Sequence, residues 1–293
     1  MRARVSVALR RGTLWPLLRA RRASALVSGA LQPIETKLCE VEQGGIAFQL
    51  RLAASLRQKQ AAQASRKPEF DPFLPYDPEL FVADVTDAYV CLLNKFPVLP
   101  YHALLTTRAF EDQDAPLDAR DFEALWACLA ERDALGFYNS AREAGGSERH
   151  RHLQLVPPLV AGAAVAPVDA ALEEARFDGP VGCAPLPFLH AVARVSRLAE
   201  LSVAPASHAL AALAREMARA FGCDRPGRPY NLLLSRDWML FVPRAREKWE
   251  GVSVNALGFA GTLLVRDREA LERVRAAGPL AVLRHVGVSS QRL

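Results

Sequence analysis

His150-Arg151-His152-Leu153-Gln154-Leu155-Val156-Pro157 is the stretch on which the reading of this chain turns. In an extended strand, successive side chains go to opposite faces. His150, His152 and Gln154 therefore share one face, and Arg151, Leu153 and Leu155 share the other. The small-residue loop Ala144-Gly145-Gly146-Ser147 comes just before. Two imidazoles and an amide on one strand face, beside a loop whose backbone N–H groups can act as donors, suit nucleophilic attack at a phosphate. The chain has only six histidines, so two of them at this spacing form a concentrated signal.

On either side of this strand the pattern switches between helical and extended. Residues 118–133 carry Phe122, Leu125, Trp126 and Leu129 at helical spacing, which predicts an amphipathic helix. Gly136 to Asn139 reads as a strand, as do Tyr89 to Leu93, Ala103 to Thr107 and Gly45 to Arg51. Further helices are expected at 13–28, 53–65, 208–221, 267–276 and 279–286. Further strands are expected at Tyr230 to Leu234, Trp238 to Val242, Val252 to Asn255 and Phe259 to Val265. The proline-rich run Asp71 to Pro78 must be loop or extended chain. Helices alternating with short-turned strand pairs give an α+β class. An internal echo relates Tyr89–Thr107 to Tyr230–Arg244 and suggests two related half-units. Four segments follow: a basic N-terminal helical segment (1–34), an N-terminal catalytic part (35–157), an Ala/Pro-rich excursion (158–207) and a C-terminal α+β part (208–293).

With 293 residues and 51% hydrophobic content, the chain can bury a sizeable core. Its net charge of +5 is local. Residues 1–34 hold seven arginines and no acid; without them 30 basic residues face 32 acidic ones. A general nucleic-acid surface is therefore not expected. The basic N-terminus reads as a structural helix rather than a targeting segment. No apolar run reaches the roughly 18 residues that a membrane span needs. Five scattered cysteines without a Cys-x-x-Cys read as buried free thiols in a reducing, cytoplasmic setting.

A neutral imidazole of fixed tautomer can attack an α-phosphorus, forming a nucleotidyl-histidine that divides one transfer into two displacements. Donors and cations must surround the phosphoryl oxygens. Gly145, Gly146 and Ser147 offer donors, and Arg149, Lys95 and Lys59 offer charge.

The ordered series Tyr138-Asn139-Ser140, Gly145-Gly146-Ser147 and His150-x-His152-x-Gln154-Leu155-Val156-Pro157 resembles the ATP adenylyltransferase (diadenosine tetraphosphate phosphorylase) family. That family belongs to the histidine-triad and galactose-1-phosphate uridylyltransferase-like superfamily. Pro72-Phe73-x-Pro75, Leu93-Asn94-Lys95-Phe96-Pro97, Pro185-Leu186-Pro187-Phe188, Val242-Pro243-Arg244 and Asn255 to Gly261 extend the resemblance over nearly the whole chain from about Ala25. It implies a histidine-triad-like antiparallel sheet with flanking helices. The implied reaction is reversible: diadenosine tetraphosphate plus phosphate gives ATP plus ADP. His152 then corresponds to the nucleophile and His150 to the residue that orients it. Gln154 stands where hydrolytic relatives have a third histidine. Asn94 corresponds to a nucleoside contact, His102 to an upstream buttress, and Asn139, Ser140 and Ser147 to phosphate contacts, with Lys59 and Lys95 as phosphate cations. Magnesium or another divalent cation would accompany the polyphosphate, with no organic cofactor. The expected partners are small nucleotides and inorganic phosphate, not nucleic acid or a membrane.

The chain departs from that pattern at Glu148-Arg149, where Gln-Pro is common, and at Asp71, where Asn is common. Acids there are expected to weaken phosphate binding, raise magnesium dependence or shift the preferred substrate. Alternative readings are a dinucleoside polyphosphate hydrolase on the same fold, a catalytically weakened nucleotide-binding protein, and a zinc hydrolase using the histidine pair with His102.

Overall fold

The computed structural model describes residues 9–53, 70–162 and 164–289. The chain begins with helix α1 (Leu14–Ser28), followed by strands β1 (Lys37–Gln43) and β2 (Ile46–Leu52). Then come β3 (Phe81–Asp84), β4 (Tyr89–Leu93), β5 (Ala103–Thr107), α2 (Ala119–Leu129), β6 (Leu135–Asn139) and β7 (His152–Val156). A short helix α3 (Asp169–Glu173) leads to β8 (Arg176–Phe177), β9 (Val181–Cys183), β10 (Ala191–Arg194), α4 (Val203–Ala220), β11 (Tyr230–Leu234) and β12 (Trp238–Pro243). The chain closes with β13 (Lys248–Trp249), β14 (Val252–Ser253), α5 (Ala256–Phe259), β15 (Thr262–Val265), α6 (Arg268–Ala277) and α7 (Pro279–Val286).

Ten strands form one antiparallel sheet in the order β3-β4-β5-β7-β6-β11-β12-β10-β9-β8. The α+β class and the antiparallel sheet with flanking helices are as expected. The two halves share one connectivity. Strands β3 to β7 lie in the order 3-4-5-7-6, and β8 to β12 in the order 8-9-10-12-11. In each half a helix joins the third and fourth strands, α2 in one and α4 in the other, and these helices pack together. The repeat is real but offset from the expected echo. Tyr89–Thr107 spans the second and third strands of the first half, whereas Tyr230–Pro243 spans the fourth and fifth strands of the second. Antiparallel pairs look alike in sequence wherever they sit, so pattern alone misaligned them. A better marker is the His-Ala pair opening each third strand, His102-Ala103 and His190-Ala191. Residues 158–207, read as an excursion, supply β8, β9 and β10 to this sheet.

The sheet is buried on both faces, and β7 shows why the register matters. Leu153 and Leu155 go into the cluster formed with α1, α2 and α4, beside Phe122, Leu125 and Trp126. Val156 goes into the opposite cluster, built with β2, β15, α5, α6 and α7. That second cover is a small sheet, β1-β2-β15, with β15 parallel to β2. Leu240 and Val242 of β12 are sealed beneath it. At the β4-β5-β7 end, residues 70–77 arch over the same face and leave a cavity.

One expected element differs locally. Phe259–Val265 was read as one strand, but Ala256–Phe259 is a helical turn capped by Asn255, whose Oδ1 accepts from Leu257 N at 3.1 Å. Gly261, at φ +100°, then turns the chain into β15 against Pro167. The helix expected at 53–65 lies outside the described residues apart from Ala53. Of the five free cysteines, Cys91, Cys128 and Cys223 are buried as expected, but Cys39 is half-buried and Cys183 is exposed.

Helix α2 starts with a capping box in which Asp118 and Asp121 accept each other's backbone donors. Asp121 also accepts the Tyr89 hydroxyl and two Arg151 contacts, at 3.0 and 3.2 Å. Arg151 additionally donates to Ala115 O at 2.6 Å. Removing one partner of a buried ion pair leaves the other charge without compensation, which costs about 3–5 kcal/mol. Arg151→Met is therefore expected to lower unfolding free energy by about that amount. Urea denaturation of the variant checks it; a loss under about 1 kcal/mol, the level of an exposed pair, would contradict the pinning role.

Candidate active site

The cavity has a volume of about 600 Å³, within the range of small-molecule sites. Phe70, Pro72, Phe73, Tyr76 and Phe96 give it one apolar wall, and Asn94, His102, Asn139, His152 and Gln154 give it a polar floor. The alternation of β7 brings His152 and Gln154 into it while sending Arg151 to α2.

His152 is held from three directions. Its Nδ1–H donates to the carbonyl oxygen of His150 at 2.8 Å, which places the ring's lone pair on Nε2. Among the described residues Nε2 has no partner, and the side chain lines the cavity. Phe73 packs against the ring, with centroids 5.4 Å apart. Burial lowers the imidazole pKa to about 4, outweighing the opposing effect of the hydrogen bond to the His150 carbonyl, so the ring is neutral at pH 7. A neutral imidazole with an unencumbered Nε2 is a competent nucleophile.

Gln113, which the sequence reading missed, fixes the backbone beneath this ring. The β6–β7 ladder ends at the pair Phe137 and Gln154. Beyond it, the Gln113 side-chain amide stands between the strands. Its Nε2 donates to Asn139 O at 2.8 Å and to His152 O at 3.2 Å, and its Oε1 accepts from His152 N at 2.8 Å. A side-chain amide thus replaces a strand-to-strand peptide contact where the strands separate around the loop 140–149. No local signal marks it, because it lies 39 residues from His152.

Gln154 is oriented by a relay. Asn94 Nδ2 donates to His102 Nδ1 at 3.2 Å, and His102 Nε2–H donates to Gln154 Oε1 at 2.9 Å. The Gln154 NH₂ group is left facing the cavity. Asn139 is set in the same sense. Its Oδ1 accepts from Asn231 Nδ2 at 2.8 Å and Ala256 N at 2.9 Å, leaving its NH₂ available. Asn231 is in turn held by Arg244, whose Nη1 donates to Asn231 Oδ1 at 2.5 Å.

His150 lies just outside β7, and its ring is turned to Asp71 and Thr107 rather than to His152 Nε2. Its Nδ1–H donates to Asp71 Oδ2 at 2.8 Å, and its Nε2 meets the Thr107 hydroxyl at 2.8 Å. It orients His152 through its main-chain carbonyl, while its ring anchors the segment that carries Phe73. Asp71 also accepts from Phe73 N at 2.8 Å and does not line the cavity. The expectation that its charge would face phosphate is thereby corrected: both of its oxygens are engaged within the fold. With His150 occupied at both nitrogens and His152 at Nδ1, the pair is not arranged to chelate zinc. Among the described residues no group of three or more His, Cys, Asp or Glu could hold a metal ion.

The loop before β7 is organised differently from the expectation. Gly145 N donates to Arg142 O and Gly146 N to Ala141 O, both at 2.9 Å, so neither amide is available as a phosphate donor. The glycines serve close approach instead. A Cβ on Gly145, at φ +84°, would lie 2.7 Å from the Asn255 backbone. Ser147 remains, exposed, without a partner among the described residues, and lining the cavity. Ser140 is buried under β11, where its Oγ accepts from Tyr230 N at 2.8 Å, and it does not line the cavity. Lys95 is exposed at the rim with its ammonium unpaired among the described residues, and Asn94 lines the floor. Lys59 lies outside the described residues. Glu148 lines the cavity, while Arg149 pairs with Asp112 at 3.1 Å.

Comparison with known proteins agrees with this geometry. Residues 4–174 match the Ap4A phosphorylase N-terminal domain family, and residues 184–289 match the ATP adenylyltransferase C-terminal domain family. The chain is 29% identical over 271 residues to diadenosine 5',5'''-P1,P4-tetraphosphate phosphorylase 2 of Saccharomyces cerevisiae, covering 82% of each. It is 27% identical over 234 residues to Protein APA1 of the same yeast, covering 71% of this chain and 70% of that one. The crystal structure of yeast Ap4A phosphorylase Apa2 in complex with Ap4A superposes with a TM-score of 0.79 at 24% identity, covering 96% of this chain and 99% of that chain. The AMP complex of Apa2 gives 0.77 at 25% identity, covering 96% and 98%. The chain belongs to the Ap4A phosphorylase family.

A histidine with a lowered folded-state pKa contributes stability that is fully present above the unfolded value near 6.5 and is lost as pH falls toward 4. The His152 ring is therefore expected to keep its Nδ1–H tautomer down to about pH 5, as read by ¹⁵N-resolved NMR of the ring nitrogens. A ring that titrates near 6.5 would contradict the buried, neutral nucleophile.

Proposed function

We propose that this member of the Ap4A phosphorylase family is a nucleotidyltransferase that cleaves diadenosine tetraphosphate with inorganic phosphate, reversibly, to ATP and ADP. One observation carries the reading. The unprotonated Nε2 of His152 opens into a cavity where the NH₂ groups of Asn139 and Gln154 have no partner among the described residues.

In the first step the Nε2 lone pair attacks an α-phosphorus, the phosphorus–oxygen bond to the remaining triphosphate breaks, and ATP leaves with that electron pair. The adenylyl group is then bonded to His152. The ring gains positive charge, which the His150 carbonyl stabilises through Nδ1–H. In the second step a phosphate oxygen attacks the same phosphorus, the nitrogen–phosphorus bond breaks, and ADP leaves. The NH₂ groups of Gln154 and Asn139 and the Ser147 hydroxyl are suited to the phosphoryl oxygens, and Lys95 supplies charge at the rim. The aromatic wall of Phe70, Phe73, Tyr76 and Phe96 suits an adenine ring.

Gln154 favours phosphate over water as the acceptor. An amide donates hydrogen bonds but gives up no proton, so it cannot activate water as a general base. Phosphate brings its own anionic oxygen. Magnesium or another divalent cation would enter with the polyphosphate, whose oxygens supply the ligands that the described residues do not cluster. Asp77 and Glu148 are the carboxylates lining this cavity, and Glu148, next to Ser147, is placed to meet such an ion. Nucleotides and phosphate are the partners this reading requires. No described helix is long and apolar enough to cross a membrane.

Product analysis with diadenosine tetraphosphate tests the assignment. ATP and ADP should appear only when phosphate is present; ATP and AMP without phosphate would make the protein a hydrolase. His152→Ala should abolish the adduct labelled from adenine-labelled substrate, and an adduct surviving in that variant would displace His152 as nucleophile. Gln113→Leu leaves the His152 N–H unsatisfied and frees the strand end. It is expected to lower kcat about 100-fold with KM changed less than about threefold, the pattern of a misaligned nucleophile. Steady-state kinetics on the folded variant checks this, and an unchanged kcat would remove Gln113 from the positioning role.

A further inference from the structure

A second cavity is larger than the catalytic one. It has a volume of about 1260 Å³ and lies where the ends of β11 and β12 meet α7. Arg228, Arg244, Arg246, Arg284 and His285 line it, with Glu143 the one carboxylate lining it among the described residues. Other exposed arginines are either paired with acids, as in Arg108–Asp84 and Arg275–Glu272, or stand singly; here four arginines and a histidine converge on one cavity.

Here the arginines have no such partners. Arg228 and Arg284 make neither a hydrogen bond nor an ion pair with any described residue. Arg246 donates to His285 Nε2 at 3.3 Å, one basic group resting on another. Arg244 is 96% buried, since only 4% is exposed, and its donors go to neutral acceptors: Val286 O at 3.2 Å, Ala144 O at 3.1 Å, Arg246 O at 2.8 Å and Asn231 Oδ1. Burial disfavours the Arg244 charge, the Glu247 carboxylate offsets this only from a distance without an ion pair, and neighbouring like charges add repulsion. Both costs are relieved by a multiply charged anion in the cavity. Planar guanidinium forks match phosphate oxygens two at a time. The half-buried Trp249 indole also lines the cavity and offers a face to a base.

We propose that this cavity is a second ligand site, separate from the one at His152, that binds a multiply charged phosphate anion through Arg228, Arg246 and Arg284, with Arg244 as the fixed cation behind them. The site stands independently of the reaction assigned to His152, because none of these side chains lines the catalytic cavity.

Calorimetric titration of the full chain with inorganic tripolyphosphate, in the presence of saturating AMP, tests it. The comparison is with the double variant Arg246→Ala/Arg284→Ala, whose removed side chains are exposed and whose folding is checked by Tm and by AMP affinity. The wild-type chain is expected to bind one equivalent more than the variant, or the same equivalent at least tenfold more tightly. Equal stoichiometry and affinity in the two proteins would overturn the proposal. A parallel titration with ATP separates the sources of the phosphate. Tighter binding than tripolyphosphate, with Trp249 fluorescence quenched, assigns a nucleoside polyphosphate; equal binding without quenching assigns an inorganic one.

Discussion

Strand β7 is buried on both faces, and the two faces require opposite chemistry. Arg151 must meet Asp121 on the helical side, and one residue later His152 must meet the cavity. A slip of one residue would put a guanidinium among the cavity's hydrogen-bonding groups and an imidazole against α2. The Arg151–Asp121 contact, tied to Tyr89 and to the capping box of α2, therefore fixes more than local stability. It fixes which side chains can serve chemistry, and the strands and loops around β7 are arranged to keep that register.

The site is built by consuming hydrogen-bonding capacity until only the needed atoms are left over. The Nδ1–H of His152 is spent on a carbonyl, so Nε2 carries the lone pair. The oxygen of Asn139 is spent on Asn231 and Ala256, and that of Gln154 on His102, so both amides present donors. Asp71 is spent on His150 and on its own turn. Burial then keeps the His152 imidazole neutral, because a charged ring would lose solvation that nothing in the cavity replaces. Reactivity here follows from which groups are satisfied, not from any single unusual residue.

The repeat of connectivity sharpens the contrast between the halves. Both open their third strand with His-Ala, and both bury a helix between the third and fourth strands. In the second half the small sheet and α5 to α7 seal the corresponding face over Leu240 and Val242. His190 is accordingly committed to the backbone, accepting from Ala184 N at 2.8 Å, while His102 relays to Gln154. One half keeps an open face and chemistry; the other supplies packing and, through Asn231, support for Asn139.

Alternation in the His150–Pro157 stretch told which residues share a face, and apolar spacing told where α2, α4 and the central strands lie. Those features were legible because they depend on neighbours two to four positions apart. The His-x-His-x-Gln order with its flanking loop likewise carried the family and the chemistry. Other decisions came from contacts between distant segments. Gln113 reaches His152 from 39 positions away, Asp71 reaches His150 from 79, and Asn231 reaches Asn139 from 92. The loop glycines looked like phosphate donors until the folded turn used their amides, and only the fold shows that His150 meets His152 through its carbonyl. A sequence states which groups exist and their local direction. Only the closed tertiary structure decides which of them remain unsatisfied, because satisfaction depends on what the rest of the chain brings alongside.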